Sequence, residues 1–384
     1  MHGIKVNSLT TGSRPLQPIA TAIIGMVVTA TAAAGPATNA LNLAFPLNTP
    51  VLVSDIRTAI GQAGTGGTLK PALEAIADQT SPILVIVRVT EGADAAATDV
   101  NVIGTVAAGV ATGMQALLDA EVRLGVRPRI LGAPGLDTLA VTTELAIIAR
   151  KLRGFAYARA IGNDVAAALV YRAGFAAREL MLIWPNFTSA FAGDAIARAL
   201  GLRARIDEEQ GWHKTLSNVA VDGVTGIDKS VHFDLQDAST PAGVLNDGDV
   251  TTIVRMTGFR FWGNRTTSEV PEYAFESAVR TSQALQDTIA EGLAWAVDRP
   301  MVASLVRDIL ETINAEFRSL KAAGRIIDGR AWFDPALNAA NDLAAGKLVI
   351  DYDFTPAAPA EFITLNQRIT DRYYQGFADQ LVNG

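Results

Sequence analysis

The chain has 384 residues, 49% of them apolar and 18% charged, so it is long enough for more than one domain and too apolar for a disordered tail. It contains no cysteine, which excludes disulfides and thiolate zinc sites. Its 32 basic and 39 acidic residues give a formal net charge of −7. That balance argues against a nucleic-acid coat, because neutralising phosphates needs clustered Lys and Arg.

Residues 19–34 form an apolar run that has two interpretations. A few basic residues precede it and residues 30–32, Ala-Thr-Ala, resemble a signal-peptide cleavage site. Against this, Pro15 and Pro18 interrupt its start, and its apolar core is shorter than the roughly 20 residues that span a bilayer. We favour a strand at residues 23–28 that is covered on both faces of a sheet.

Short apolar strands then alternate with helical stretches, which is the rhythm of a mostly parallel sheet with crossover helices. The predicted strands are residues 82–88, 129–132, 155–160 and 179–184, and the predicted helices are residues 138–152 and 188–202. This pattern predicts an α/β domain over residues 20–205.

Signals of enzyme or metal chemistry are weak. Residues 61–68, GQAGTGGT, nearly match a phosphate-binding loop, but Gly67 stands at the lysine position, so we interpret them as a flexible surface loop. Residues 207–209, Asp-Glu-Glu, are interpreted as a solvated acidic face. The three histidines, at positions 2, 213 and 232, have no metal-ligand spacing. No catalytic residue, metal or cofactor is therefore predicted.

Residues 206–270 lose periodicity and gather Asp, Gly, Asn and Thr, which predicts an irregular connector with short strands. Within it, residues 246–248 are a predicted turn and residues 250–255 a predicted strand. Residues 258–265, GFRFWGNR, place three aromatic rings beside two arginines. We interpret that segment as an anchor at a domain junction rather than a ligand site.

Residues 271–370 are predicted to form a smaller C-terminal α+β domain. A helix over residues 301–323 has one apolar face. Residues 347–354 and residues 361–370 alternate apolar and polar side chains, so we expect them to pair as a hairpin. The positions expected to accept further strands are Leu348, Ile350, Tyr352, Ile363 and Leu365.

A two-stranded sheet is marginal by itself, so this domain needs further strands. The chain ends offer two arms, residues 1–19 and residues 371–384. Their apolar positions are Ile4, Val6, Leu9, Tyr374, Phe377 and Leu381. If each arm pairs with a neighbouring copy, the sheet edge becomes a joint. Because donor and acceptor are different surfaces, such contacts propagate as a helical or ring-stacked polymer.

Several segments together resemble the tail sheath proteins of contractile phage tails and R-type bacteriocins. They are residues 2–6, 24–27, 211–218, 223–226, 245–266 and 324–332. The resemblance implies an α/β fold, α+β overall, in which a mostly parallel domain is joined to a smaller C-terminal domain. Strands from neighbouring subunits complete the sheet of that smaller domain.

The resemblance also implies a function and partners. The chain would polymerise as stacked hexameric rings around an inner tube, and contraction would drive the tube through a bacterial envelope with energy stored in the extended lattice. Its partners would be other copies of itself, the inner tube protein, and baseplate and terminator proteins, with no nucleic acid and no membrane insertion. Assembly is expected in the bacterial host cytoplasm, before release in a phage tail or bacteriocin particle.

The resemblance further implies that a helix of the C-terminal domain faces the tube. Arg318, Lys321 and Arg325 cluster near the end of the 301–323 helix, where the helix dipole favours cations. Taken alone, these residues favour a solvated helix end that matches the helix dipole, and it is the resemblance that makes them the candidate contacts with acidic tube residues.

Two other classes stay open on the residues alone. One is a secreted or surface α/β protein that loses its first 34 residues, and the other is an α/β enzyme with a small-ligand pocket. An intact mass would test the first class, and particle shape in negative stain would test the second.

Overall fold

A computed structural model describes residue 16, residues 19–189, residues 195–377 and residue 382. Its strands are β1 (Ile24–Thr31), β2 (Pro50–Val53), β3 (Gly66–Gly67), β4 (Leu84–Val89), β5 (Val106–Ala107), β6 (Val110–Ala111), β7 (Ile130–Gly132), β8 (Phe155–Arg159), β9 (Leu180–Ile183), β10 (Phe187–Thr188), β11 (Ala220–Val221), β12 (Gly226–Ile227), β13 (Val250–Arg255), β14 (Phe259–Trp262), β15 (Ile326–Trp332) and β16 (Asp351–Pro356).

The α-helices are α1 (Pro36–Ala44), α2 (Ile56–Gln62), α3 (Leu69–Ala77), α4 (Ala95–Ile103), α5 (Ala120–Leu124), α6 (Leu139–Leu152), α7 (Val165–Arg172), α8 (Ala195–Glu209), α9 (Pro241–Asp247), α10 (Glu276–Gly292), α11 (Ala303–Ala322) and α12 (Ala340–Ala344). Short 3-10 turns lie at Gly113–Asp119, Pro271–Tyr273, Ala294–Ala296, Pro335–Leu337 and Arg372–Gly376. None of the helices in these ranges is both long and apolar enough to cross a membrane.

One large mixed sheet organises the first two-thirds of the chain. Its strand order is β11-β14-β13-β9-β8-β7-β1-β4-β2, with β3 beside β1. The six strands from β13 to β4 run parallel to their neighbours, and β2, β14 and β11 are antiparallel. The predicted mostly parallel α/β architecture is confirmed.

The centre of this sheet is buried on both faces, which explains the continuous apolar runs in its strands. In β1, Ile24, Met26 and Val28 lie in one core with residues of α3 and α8. Val27 lies in a second core with residues of α6. The 23–28 segment is therefore an inner strand, paired with both β4 and β7, and the folded body depends on it.

The sheet continues past residue 205, while the domain boundaries themselves remain predictions. The strand predicted at residues 250–255 is β13, and it pairs with β9. The turn predicted at residues 246–248 is wrong in detail, because Asn246 and Asp247 end α9 and Gly248 caps it. The left-handed backbone of Asp249, with φ 56°, then redirects the chain straight into β13.

The glycine-rich segment at residues 61–68 is not the loose loop expected. Gly66 and Gly67 form β3 against Ala30 and Thr31 of β1. Gly67 has φ 85°, and a Cβ there would lie 2.4 Å from the carbonyl oxygen of Thr29. Close backbone approach, rather than phosphate binding, therefore accounts for these glycines.

A third, smaller core lies in the C-terminal part. The apolar stripe predicted on the 301–323 helix is buried in α11, where Leu305, Ile309, Ile313, Phe317 and Leu320 pack together. This core also receives Leu16, from the chain just ahead of β1.

Candidate functional site: the C-terminal sheet and the chain that leaves it

The sheet of the C-terminal part consists of β15 and β16, which run antiparallel. Trp332 lies opposite Asp351, and Gly329 lies opposite Phe354. The expected hairpin between residues 347–354 and 361–370 is wrong, because β16 pairs with β15 instead. The sequence of β15, IIDGRAW, contains Asp and Gly, which weaken a strand signal, so tertiary packing decided this pairing.

Helix α11 covers the inner face of this sheet. The rings of Phe317 and Tyr352 lie 6.0 Å apart. A Cβ on Gly329 would lie 2.8 Å from the ring of Phe317, so glycine is what lets the helix approach β15. Leu348 and Ile350 pack against the same core but precede β16, which begins at Asp351 rather than at residue 347.

The chain beyond β16 leaves the body. Residues 361–370 contain neither helix nor strand. Ile363, Leu365 and Ile369 are 72%, 87% and 99% exposed. Ile363 and Leu365, predicted as part of an accepting strand, therefore have no strand partner in the described part of this chain.

One polar contact fixes the root of this segment. The guanidinium of Arg265 donates to both carboxylate oxygens of Glu361, at 2.9 and 2.7 Å. Arg265 also stacks over the ring of Phe275, 5.2 Å from its centroid. Arg265 thus ties the start of the C-terminal segment to the chain just beyond β14, while the anchoring role of residues 258–265 at a domain junction stays a prediction.

The predicted arm residues divide between described and undescribed parts of the chain. Tyr374 lies in the 3-10 turn Arg372–Gly376, Phe377 follows it, and both rings are exposed and 5.9 Å apart. Ile4, Val6, Leu9 and Leu381 lie outside the described residues. Leu16 is buried against Gly292 at the end of α10, so the chain from the N-terminal side meets the C-terminal core before it enters β1.

Two of the three candidate tube contacts are exposed but already paired within the chain. Arg318 donates to Glu311 at 2.5 Å, and Lys321 donates to Asp328 at 2.5 Å. Arg325 stacks on Trp212 at 4.7 Å and therefore contributes to the junction beside α11. The three basic residues therefore do not form one surface: Arg318 and Lys321 make surface ion pairs, and Arg325 stacks at the junction.

A buried ionic network joins α10 to the large sheet, and sequence reasoning missed it. Glu276 accepts from Tyr157 at 2.5 Å and from Arg203 at 3.2 Å, and it is fully buried. Burial by itself would raise the pKa of Glu276, but the nearby Arg203 and Arg280 charges outweigh it and lower the pKa below its usual value.

Asp207 belongs to the same network, so its assignment to a solvated acidic face is wrong. Its side chain is fully buried and accepts from Arg203, at 2.6 Å, and from Arg280. The i, i+4 spacing of Arg203 and Asp207 on α8 was the available signal, because it places both side chains on one helix face.

Asp287 of α10 makes a second link to the large sheet. It pairs with Arg129 and Arg153, and with Arg127 at 3.5 Å. Since truncating one partner of a buried pair leaves an unpaired charge, such networks hold elements in one arrangement. No group of His, Cys, Asp or Glu in the described ranges could hold a metal ion.

Three family models match consecutive parts of the chain. They describe the N-terminal region of domain III of the tail sheath protein Gp18 (residues 21–89), the phage tail sheath protein central domain (residues 109–267) and the phage tail sheath C-terminal domain (residues 268–370). The tail sheath protein of Escherichia phage P2 is 50% identical, with 97% of this chain and 96% of that protein covered. This chain belongs to the phage tail sheath family.

Other sheath proteins support the same assignment. The major tail sheath protein of Serratia phage KSP20 is 44% identical, with 97% of this chain and 96% of that protein covered. The sheath of an extracellular contractile injection system (PVC), solved in the contracted state, has the same fold, with a TM-score of 0.72, 15% identity, and 97% and 98% of the two chains covered. The contracted helical sheath of the anti-feeding prophage has a TM-score of 0.70 at 18% identity, with 95% and 98% covered.

The sheath protein is thus a structural subunit of a contractile tail, and it assembles with copies of itself into a polymer. Its family points to a non-enzymatic role. Neither a secreted α/β protein nor a small-ligand enzyme is supported by these similarities.

Proposed function

We propose that this sheath protein polymerises by strand exchange, in which residues 361–370 of one copy extend the β15–β16 sheet of another. The observation that carries the proposal is the exposure of Ile363, Leu365 and Ile369 on a segment that leaves its own body. These three side chains share one face of an extended chain. In a neighbour's sheet, that face would continue the apolar surface formed by Tyr352 and Phe354.

This proposal changes where the predicted C-terminal arm begins. The donor begins near residue 361, ten residues before the predicted start at residue 371, and Ile363 and Leu365 become donor residues rather than acceptors. Tyr374 and Phe377 follow on the same arm. The N-terminal residues Ile4, Val6 and Leu9 keep their predicted role as a second donor strand, for which Leu16 supplies a root beside the C-terminal core.

Backbone pairing suits a joint that must survive contraction. Each hydrogen bond contributes only about 1 kcal/mol net, but a strand makes several, and they persist when whole subunits rotate. Donor and acceptor are different surfaces, so the contact repeats without closing on itself, in rings or along a helix.

The remaining partners follow from the same role. The exposed Arg318 and Lys321 of α11 are the proposed contacts with acidic residues of an inner tube protein. Their present partners, Glu311 and Asp328, are carboxylates at the surface. Salt screens such ion pairs, and acidic residues of a tube protein could take the place of these carboxylates. Baseplate and terminator proteins would lie at the ends of the polymer. The whole particle, a phage tail or a bacteriocin, would be built in the host cytoplasm.

The test is a double substitution, Ile363→Asp with Leu365→Asp. Both side chains are exposed in the subunit, so the thermal unfolding midpoint should stay within about 2 °C of wild type. Assembly into tubes or stacked rings in negative stain should be lost, because two charges would enter an apolar layer. Thr364→Asp with Asn366→Asp is the matched control on the opposite face, and it should assemble. Tubes formed equally well by both variants would rule out this arm as the donor.

A further inference from the structure

The two ends of the large parallel sheet carry opposite charge on the face that α4, α6 and α7 cover. These helices follow β4, β7 and β8 in the chain, so their N-termini lie at the carboxyl ends of the strands and their C-termini at the amino ends. Helix dipoles favour carboxylates at N-termini and cations at C-termini. Because the three helices run in the same direction, this preference adds up across the face.

The carboxyl end of this face is acidic. The exposed and half-exposed carboxylates there are those of Glu91, Asp94, Asp99 and Asp164. Asp94 and Asp164 are the N-caps of α4 and α7, and each accepts one backbone N–H, so their negative charge stays at the surface. Asp137 and Arg159 lie at the same end and pair with each other at 2.8 Å, so they add no net charge.

The amino end of the same face is basic. The buried carboxylate of Asp287 pairs there with three guanidiniums, those of Arg127, Arg129 and Arg153. Arg127 also pairs with Glu121, at 2.6 Å. The Nε of Arg129 is buried and has no hydrogen-bond partner in the described part of the chain. One carboxylate cannot bond all the N–H groups of three guanidiniums, so positive charge and hydrogen-bond donors are in excess at this end.

The last turn of α6 extends this basic surface. Arg150 and Lys151 lie there just before Arg153; both are exposed, and among the described residues neither pairs with a carboxylate. Arg123, on the other side of the cluster, pairs with Asp119 at 3.5 Å. The whole chain has a formal charge of −7, so this excess of cations is a local feature of one surface.

Exposed apolar side chains accompany both charged surfaces. Leu139, in the first turn of α6, and Ile161, just after β8, are exposed at the acidic end. Val122, beside Glu121 on α5, is exposed at the basic end. Protein interfaces combine apolar contacts with a polar and charged rim. The two surfaces therefore suit a protein partner rather than a small ion.

We infer that the acidic carboxyl end of one copy docks on the basic amino end of the next, as a head-to-tail contact in the sheath polymer. The occupant is a second copy, because the family assembles with itself and because one chain carries both complementary surfaces. The surfaces lie at opposite ends of the strands, so a single copy cannot bring its own two together. Such a contact is heterologous and repeats from copy to copy.

Charge reversal at each surface tests this contact. Arg150→Glu with Lys151→Glu makes the basic end negative, and Glu91→Lys with Asn163→Lys makes the acidic end positive. All four positions are exposed and none is an N-cap, so the thermal unfolding midpoint should stay within about 3 °C of wild type. Like charges would face each other in assemblies of either protein alone. In sedimentation at about 0.15 M salt, each should need at least about tenfold more subunit to assemble.

An equimolar mixture of the two reversed proteins should assemble within about threefold of the wild-type concentration. In the mixture a positive carboxyl end meets a negative amino end, and the two unchanged surfaces also match each other. Neither protein alters residues 361–370, so this test and the test of strand exchange can fail separately.

The matched control is Arg57→Glu with Lys229→Glu. It changes the net charge as much as the Arg150 and Lys151 reversal does, but at exposed positions next to Ile56 and Ile227, which pack in the other core of the sheet. This control should assemble like wild type. Unimpaired assembly of either reversed protein by itself would overturn the inference. Failure of the mixture while the control assembles would overturn it as well.

Discussion

At the residue scale, Glu276 is the side chain on which the junction between the two parts of the molecule depends. It begins α10 and is surrounded by Tyr157, Arg203 and Arg280. Burial of an unpaired carboxylate would be unfavourable, and the arginines reverse that cost by stabilising its charged form. Removing the charge would leave Arg203 buried without one of its two carboxylate partners.

We therefore expect Glu276→Gln to lower the free energy of unfolding by about 3 kcal/mol or more. The folded pKa of Glu276 lies below its ordinary value of 4.5. Its stabilising contribution is thus complete above pH 4.5 and is lost as pH falls through the lower folded pKa. In urea unfolding measured between pH 3 and pH 7, the free energy of unfolding should fall less steeply toward acid pH in the variant than in the wild type. Glu272→Gln, at an exposed position just ahead of α10, is the control, and an equal effect there would contradict this role.

At the scale of elements, the important feature is where the C-terminal segment is tied down. β16 ends at Pro356, and Glu361 is held by Arg265, which follows β14 of the large sheet. The predicted hairpin would require residues 361–370 to turn back immediately onto β16. In the structure Glu361 pairs with Arg265 instead, and residues 361–370 form no strand with β16, which leaves them available for the pairing between copies that we propose.

Breaking this pair should loosen the arm with little effect on overall stability. An exposed ion pair contributes only about 0.2–1 kcal/mol, so Arg265→Ala should barely move the unfolding midpoint. The distance distribution between spin labels at Leu235→Cys and Ile369→Cys should broaden in that variant. The charge swap Arg265→Glu with Glu361→Arg should narrow this distance distribution again.

Arg307→Ala, an exposed arginine of α11 away from the arm, is the control for loss of a surface cation. A distribution unchanged by Arg265→Ala would mean that the arm root is held by other contacts.

At the scale of the whole molecule, our hypothesis is that the extended sheath stores free energy when it assembles and releases that free energy when it contracts. The buried ion pairs of Asp287 and Glu276 suit this hypothesis, because a subunit whose elements keep one arrangement would pass its displacement to its neighbours through the proposed arms.

Triggered contraction of the assembled sheath should therefore release heat and be irreversible. Titration or scanning calorimetry of extended particles would measure it, with already contracted particles as the control. A trace with no heat release, together with no change in buried area, would contradict the stored-energy hypothesis.

The sequence by itself determined the mostly parallel sheet, the inner position of the 23–28 strand and the buried stripe of α11. These follow from periodicity, which is local and readable along one chain. The resemblance of its motifs to tail sheath proteins was also present in the residues. Only the tertiary structure decided that β16 pairs with β15, that residues 361–370 leave the body, and that Asp207 and Glu276 are buried. Strand partners and buried charges depend on which distant backbones and side chains packing brings together, and an alternating pattern is the same whether its partner lies in its own chain or in a neighbour's.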